Sequence, residues 1–550
     1  MKIVLTSLNA KYIHINLALR WLYVANKKRY DVDLKEYTIN DNLIAIAEEL
    51  TKQEADVIAF SVYIWNITQT LEIIQYIKKY SDKHIIVGGP EVSYESHYLL
   101  DEGVDAISIG EGEIAFWKYI DMLDQKQAYE IMGMYTKAHP CKCFPSVDLH
   151  DLEKLENPYF LSFDKAAQAN RYFYFETSRG CPYHCAYCLS GCEGSVRMFS
   201  EAYVFHILDK IAMSKIRIVK LLDRTFNVMP ERALRIARYM NTHCKHQIFQ
   251  FEIVAETLSE ELLQFFCEEA DNKRFRFEIG VQSFHKPTLD AVSRIQNNER
   301  LVEVITRLQK AKLVMHVDLI AGLPYEGMAL FQHSFNRLYA LHTHEIQLGI
   351  LKLLKGTALK AKGEQYDYVY NSLPPYEIQA TKWLNKQELE AIHACAHAVE
   401  KYYNSGRLRN SIDTILSLGL YSDAFSLFME LGMMLKQLKH PYQPHSLFEN
   451  LLSLFADKQL LVSILNMDYF KIFKQRPKLF GLIPTREKAK MIRTLAQKEG
   501  IMNTEESYNY SYISYGYLNQ VCGYQIVLYS NKQTYPRRYF SDGKSIQEVS

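Results

Sequence analysis

Short apolar runs separated by amphipathic segments fill the first 360 residues, and this alternation constrains the fold more than any other feature of the chain. Lys2–Ser7, Val32–Thr38, Asp56–Ser61, His84–Gly88 and Asp105–Ile109 read as buried strands, with helical spacing in segments such as Leu43–Thr51 and Thr70–Tyr80 between them. Strand, helix, strand in this order predicts a parallel, doubly wound sheet over residues 1–125, with any ligand outside the carboxyl ends of its strands. From 126 to 170 the rhythm is lost and Pro140, Pro145 and Pro158 appear, so this stretch reads as a linker.

A second alternating run follows, with strands at Tyr172–Thr177, Ile216–Leu222, Phe249–Ala255, Phe275–Val281, Leu313–Leu319 and Glu345–Leu351. Successive starts lie 26 to 44 residues apart, room for one crossover helix each, which predicts an α/β arrangement of six units over 171–375. An incomplete barrel fits this better than a flat sheet, although spacing alone leaves both open. Beyond 376 the pattern turns helical. Asn385 and Glu388 form a capping box, and Leu389, Ile392, Ala396, Val399 and Tyr403 share one face that stops near Gly406. Residues 376–550 therefore read as a mostly α-helical domain ending in a β-hairpin, Tyr508–Tyr517 with Tyr524–Tyr529.

Charge narrows the function classes. Sixty-four Lys and Arg against 63 Asp and Glu give a net charge of +1, which excludes the basic field of a dedicated nucleic-acid binder. With 48% hydrophobic residues the chain has ample core, yet no stretch reaches the ~18 uninterrupted apolar residues of a membrane span. Ten cysteines in 550 residues are too few for a disulfide scaffold and predict a reducing, cytoplasmic setting with functional cysteines in one local cluster.

That cluster is Ser178-Arg179-Gly180-Cys181-Pro182-Tyr183-His184-Cys185-Ala186-Tyr187-Cys188, directly after the first strand of the second run. Three thiolates on one loop can hold three irons of a cubane and leave the fourth iron open to a chelating ligand. A structural zinc would ask for a fourth ligand in a second pair; His184 and Cys192 are the nearby possibilities, and no matching pair is evident.

Cys181, Cys185, Tyr187 and Cys188 match the CxxxCx(aromatic)C signature, so the chain resembles the radical S-adenosylmethionine enzymes. The resemblance implies a 4Fe-4S cluster that cleaves S-adenosylmethionine to a 5′-deoxyadenosyl radical, with an electron donor such as flavodoxin or ferredoxin as partner. It further implies that Glu252 faces the cofactor, that Gln282 of Gly280-Val281-Gln282-Ser283 and Asp318 hold its ribose, and that Arg294 pairs with its carboxylate. Gly322 would permit close approach of the adenosine. At the second strand's exit, Leu222-Asp223-Arg224-Thr225-Phe226-Asn227 departs from the family's glycine-rich segment, leaving Asp223 a weak candidate for the methionine amine.

A doubly wound domain ahead of such a core resembles the cobalamin-binding radical S-adenosylmethionine class. This implies a Rossmann-like cobalamin-binding-type domain followed by a partial (β/α)6 barrel, with Gly88, Gly89, Gly110, Glu111 and Ser61 beside the ligand crevice. The D-x-H-x-x-G loop that supplies a cobalt ligand in cobalamin mutases is absent, and His14 and His97 read as ordinary histidines. Gln347–Thr357 and Pro374-Pro375-Tyr376-Glu377 resemble a bacterial subfamily with a C-terminal domain of unknown function. Lys352 and Lys355, at a strand exit, meet either an anionic substrate or solvent. The resemblance thus points to methyl transfer to an unactivated centre of a small molecule or peptide. A cobalamin-dependent rearrangement or oxidation, and a non-catalytic iron–sulfur and cobalamin sensor, are the alternatives.

Overall fold

In the computed structural model the described residues are 1–549 apart from 142, 193, 440, 474–477, 503–509, 519–520 and 530–536. The apolar runs of the N-terminal region form β1 (Lys2–Asn9), β2 (Asp31–Thr38), β3 (Val57–Ser61), β4 (His84–Gly88) and β5 (Ala106–Ser108). They pair in parallel in the order β2-β1-β3-β4-β5. The runs are nearly continuous in apolar residues because both faces are covered. Val4, Leu8 and Ile58 pack against Ile46, Leu50 and Ile74 on one side, while Ile3, Leu5 and Ala59 pack against Leu19, Phe116 and Ile120 on the other.

The stretch read as a linker is part of this structure. Met134–Tyr135 forms β6, an antiparallel edge on β5, and Leu149–Glu153 is a short helix capped by Asp148. Asp164 meets Arg20 at 2.6 Å, and Glu36 holds the same guanidinium at 2.9 Å. Proline and loss of period marked irregular backbone correctly, but not its burial.

The second run forms β7 (Phe173–Phe175), a two-residue antiparallel pair β8 (Ser178–Arg179) and β9 (Arg197–Met198), then β10 (Ile218–Leu221), β11 (Ile248–Ile253), β12 (Phe275–Gln282), β13 (Val314–Ala321) and β14 (Glu345–Ile350). Its sheet runs β14-β13-β12-β11-β10-β7, the sequential order of a partial barrel. Burial alternates strictly along β12 and β13. Phe275, Phe277, Ile279 and Val281 enter the core, and Arg276, Glu278, Gly280 and Gln282 line the other, polar face together with His316 and Asp318. A small ribbon, β15 (Val369–Tyr370) with β16 (Ile378–Ala380), follows.

Residues 1–334, 341–343 and 349–389 make one compact unit; 335–340, 344–348 and 390–550 make another. The second unit thus takes in short segments before the expected start at 376, and its continuous part begins at Glu390. The capping box forms as read, with Glu388 accepting from Asn385 N–H at 2.9 Å and Asn385 accepting from Glu388 N–H at 3.0 Å. In the C-terminal unit, helices Arg409–Ser417, Ala424–Gln437, Pro444–Phe455, Gln459–Ile472 and Arg486–Lys498 precede an antiparallel sheet, β17 (Tyr510–Leu518), β18 (Val521–Tyr529), β19 (Arg537–Ser541) and β20 (Ile546–Glu548). The expected hairpin is thus two strands of four; its expected start at Tyr508 lies outside the described residues. No helix among the described residues is long and apolar enough to cross a membrane.

Candidate active site

The cysteine loop is bracketed by β8 and β9 and held from several sides. Gly180 adopts φ +92°, and a Cβ there would come within 2.6 Å of the Ser195 carbonyl, so only glycine serves at the loop's entry. Ala186 donates its N–H to the Val292 carbonyl at 2.9 Å and accepts from Leu359 N–H at 2.8 Å. Cys188 N–H donates to the Cys185 carbonyl at 3.0 Å. Cys181, Cys185 and Cys188 are free and half-buried. Burial pushes the Cys181 thiol up. Among the described residues no three His, Cys, Asp or Glu side chains are grouped as around a single metal ion. The three thiols lie on one loop, as the sequence motif has them.

Asp223 anchors this loop. Fully buried, it accepts from Thr177 N–H at 2.9 Å, Thr177 Oγ1 at 2.5 Å and Ser178 Oγ at 2.6 Å. Three bonds to the β8 approach thus engage Asp223, named from sequence as a weak candidate for the methionine amine, in holding the cysteine loop.

Arg294 reaches the same loop from the β12 side. Nη2 donates to the Gly280 carbonyl and Nε donates to Gln296 Oε1 at 2.9 Å. The charges of Tyr187, Cys185 and Glu256 around the guanidinium outweigh its desolvation and keep its pKa raised. Gln282 has φ +65°, and its Oε1 is buried with no hydrogen-bond partner. A Cβ on Gly280 would overlap the Gln282 amide nitrogen, so this glycine makes room for that side chain. Glu256 presents both carboxylate oxygens buried and unpartnered, and burial raises its pKa despite Arg294 nearby. The sequence reading chose Glu252 over it; the sole distinguishing signal was position past the strand end.

Glu252 lies deeper on the polar face, in register with Glu278. Burial pushes it up to about 7, Arg224 and Lys220 opposing and Glu278 reinforcing. Asp318 is likewise pushed to about 7 by burial, with Glu278 and Glu252 adding to the shift. Lys220 stands 3.9 Å from Glu278. Gly322 does not open onto a ligand: a Cβ there would collide with the Ile378 side chain.

The loops at the carboxyl ends of β1, β4 and β5 dock onto the barrel. His14 Nδ1 is 2.6 Å from the Tyr174 hydroxyl. Glu91 bonds the Tyr376 hydroxyl and pairs with the largely buried Lys355 at 2.9 Å, whereas Lys352 is exposed. Glu111 pairs with Arg197 at 2.5 Å and accepts from Val147 N–H at 2.5 Å. Arg179, one residue before Gly180, pairs with Glu113 and Glu176 at 2.8 Å each. Glu111 thus holds protein groups, and Gly88 and Gly89 face Ser108 and Val62 backbone instead of open space. Gly110, at φ +71°, is exposed on the loop after β5. Ser61 accepts on its carbonyl from Ser7 Oγ at 3.1 Å, and two residues on Tyr63 stacks on the half-exposed Trp65 at 4.4 Å. With Tyr12 and Pro90 also exposed, the loops after β1, β3, β4 and β5 offer an aromatic and glycine edge to a large flat ligand. His97 is exposed.

Comparison with known proteins agrees with this layout. Residues 3–119 match the B12 binding domain, 175–338 the Radical SAM superfamily, and 364–521 a protein family of unknown function, DUF4080. The 2-(S-pantetheinyl)-carbapenam-3-carboxylate methyltransferase of Streptantibioticus cattleyicolor is 24% identical over 326 residues, 53% of this chain and 46% of that protein. The cobalamin-dependent radical SAM methyltransferase TokK of Streptomyces tokunonensis is 24% identical over 357 residues, 56% of this chain and 49% of that one. The chain therefore spans about half the length of these curated relatives. The structure of the cobalamin-dependent S-adenosylmethionine radical enzyme OxsB with aqua-cobalamin bound superposes with a TM-score of 0.61 at 15% identity, over 92% of this chain and 82% of that one. With these three domains in this order, the chain belongs to the radical SAM proteins that carry an N-terminal B12-binding domain, in the branch with a C-terminal DUF4080 region.

Proposed function

We propose that the protein is a cobalamin-dependent radical S-adenosylmethionine methyltransferase acting on an unactivated centre of a small-molecule or peptide substrate, with a flavodoxin- or ferredoxin-type electron donor. One observation carries the reading. The strand-end loops of the B12-binding domain are fastened by Glu111–Arg197, Glu113–Arg179 and Glu91–Lys355 to the segments that flank the cysteine loop and the barrel mouth. The two cofactor-binding edges therefore belong to one compact unit. Similarity to the two methyltransferases supports methyl transfer over rearrangement.

Cys181, Cys185 and Cys188 would ligate the cluster, and the loops after β1, β3, β4 and β5 would hold cobalamin. When bound, the cluster supplies the electron that cleaves S-adenosylmethionine to the 5′-deoxyadenosyl radical, and cobalamin supplies the methyl group. The chain's own side chains fix the co-substrate. Arg294 takes the methionine carboxylate, a charge-assisted fork interaction. Glu256, buried beside it with two free acceptor oxygens, takes the ammonium, so that the pair matches the zwitterion. Gln282 and Asp318 hold ribose hydroxyls: the orphaned Gln282 Oε1 accepts one, and the carboxyl of Asp318, on the same polar face, takes another. Tyr187 and Ala186 close the loop against water.

The test is reductive release of 5′-deoxyadenosine by anaerobically reconstituted protein. Cys188→Ala should abolish release and lower bound iron, while Cys395→Ala, in the C-terminal core, should do neither. Equal release by Cys188→Ala and the parent would refute the assignment. Product bearing a labelled methyl group from S-adenosylmethionine distinguishes methyl transfer from rearrangement.

A further inference from the structure

Behind the Arg294 contacts lies a carboxyl that no motif marks. Glu326, on the loop after β13, is fully buried. Its Oε1 accepts from Ser283 Oγ at 2.6 Å and Ser334 Oγ at 3.0 Å. Each hydroxyl also receives a backbone donor: His285 N–H reaches Ser283 Oγ at 2.9 Å, and Phe284 N–H reaches Ser334 Oγ at 3.2 Å. The carbonyl of Ser283 accepts from Gln296 Nε2 at 3.0 Å, and Gln296 Oε1 accepts from Arg294 Nε at 2.9 Å. One uninterrupted chain of hydrogen bonds thus runs from Glu326 to the guanidinium.

We propose that Glu326 is a positioning residue for S-adenosylmethionine binding, holding Arg294 through Ser283 and Gln296; the proposal rests on the reading of Arg294 as the carboxylate ligand. Two features favour this over simple core filling. Gln282, the residue before Ser283, sits at φ +65°, a conformation non-glycine residues adopt only when the surroundings over-determine it, and the grip on Ser283 is part of that determination. Gln296 holds Nε and the Gly280 carbonyl holds Nη2, which fixes the plane of the guanidinium beside Cys185. Rotating or tilting Gln296 would turn that plane away. An apolar core residue at 326 would fill the space but release Ser283.

The experiment measures S-adenosylmethionine dissociation constants by equilibrium dialysis on reconstituted full-length protein, with iron content as a control. Glu326→Leu should keep its iron and weaken binding about tenfold, or ~1.4 kcal/mol. Glu326→Gln, which preserves the acceptor, should bind within about twofold of the parent. Gln296→Leu, which breaks the chain without touching Glu326, should reproduce the weakening. In Glu326→Leu/Arg294→Ala the penalties should not add, because both act through one guanidinium. In cluster-free protein, amide exchange at residues 283–296 should quicken in Glu326→Leu but not in Glu326→Gln. Parent-like binding by Glu326→Leu and Gln296→Leu, or full additivity in the double variant, overturns the proposal. If Arg294→Ala alone binds as the parent does, the carboxylate reading fails instead; if Arg294→Ala is weak while both chain variants are parent-like, only the positioning role fails.

Discussion

Gly89→Ala separates two reasons a glycine can stand at the end of a ligand-binding strand. From sequence, a side chain at 88 or 89 would obstruct the ligand; in the structure, Gly89 has φ +116° and an added Cβ would overlap the Val62 carbonyl oxygen and stand 3.1 Å from Val62 N. Val62 N–H donates to the Gly88 carbonyl at 2.7 Å, the bond that joins the exits of β3 and β4. Forcing alanine into this backbone conformation costs about 1–3 kcal/mol. Displacing Val62 enough to clear the Cβ sacrifices much of a buried hydrogen bond, about 1 kcal/mol more. The sum, about 2–4 kcal/mol, converts to roughly thirty- to thousand-fold faster local opening. Hydrogen–deuterium exchange on peptides from β3 and β4 of the cobalamin-free protein reads this directly. Gly88→Ala is the control, since its Cβ would stand 3.3 Å from Ser108 Cβ and 3.6 Å from its carbonyl oxygen, tight but without the overlap at Gly89. Unchanged protection in cobalamin-free Gly89→Ala, together with lost cobalamin uptake, would refute the packing argument and restore the ligand-path explanation.

Two other perturbations follow from buried charge. Arg179→Met leaves Glu113 and Glu176, both buried, without their cation, at about 3–5 kcal/mol; iron retention should fall because Gly180 and Cys181 follow directly, and adding Glu113→Gln should recover part of the loss, checked by iron content and exchange across β8. Glu326 has its carboxyl pushed from 4.5 to about 7 by burial. Its stabilisation is therefore complete below the ordinary carboxylate range and lost as pH rises through about 7, a difference of roughly 3 kcal/mol. Glu326→Gln should remove that pH dependence of protection at residues 283–296 between about pH 5 and pH 8, and an unchanged profile would mean that another group is responsible.

Strand positions were legible because each is written locally. His84–Gly88 is reproduced to the residue, and the six barrel strands fall within a few residues of their expected bounds. What was not legible depends on partners far along the chain. Met134–Tyr135 is a strand only because β5 offers an edge, and nothing in a two-residue stretch carries a period. The third and fourth C-terminal strands, of five and three residues, are also short, and they exist by pairing, β19 to β18 and β20 to β19.

The site divides along the same line. The cysteines, Gln282 and Arg294 stood out in the sequence because their proposed chemistry is tied to spacing within a motif. Glu256 and Glu326 did not, since a lone carboxylate has no spacing; only its burial in the folded chain draws attention to it. The same holds for the charges that join the domains. Glu111 read as a glycine-turn neighbour facing a ligand, because the turn was visible and Arg197 and Arg179, its partners, lay elsewhere in the chain. A carboxylate next to a ligand-binding turn is therefore weak evidence for ligand contact in a multidomain chain. Desolvated at a domain junction, it needs an arginine or lysine, and the ion pair that results fixes the distance between the two cofactor edges.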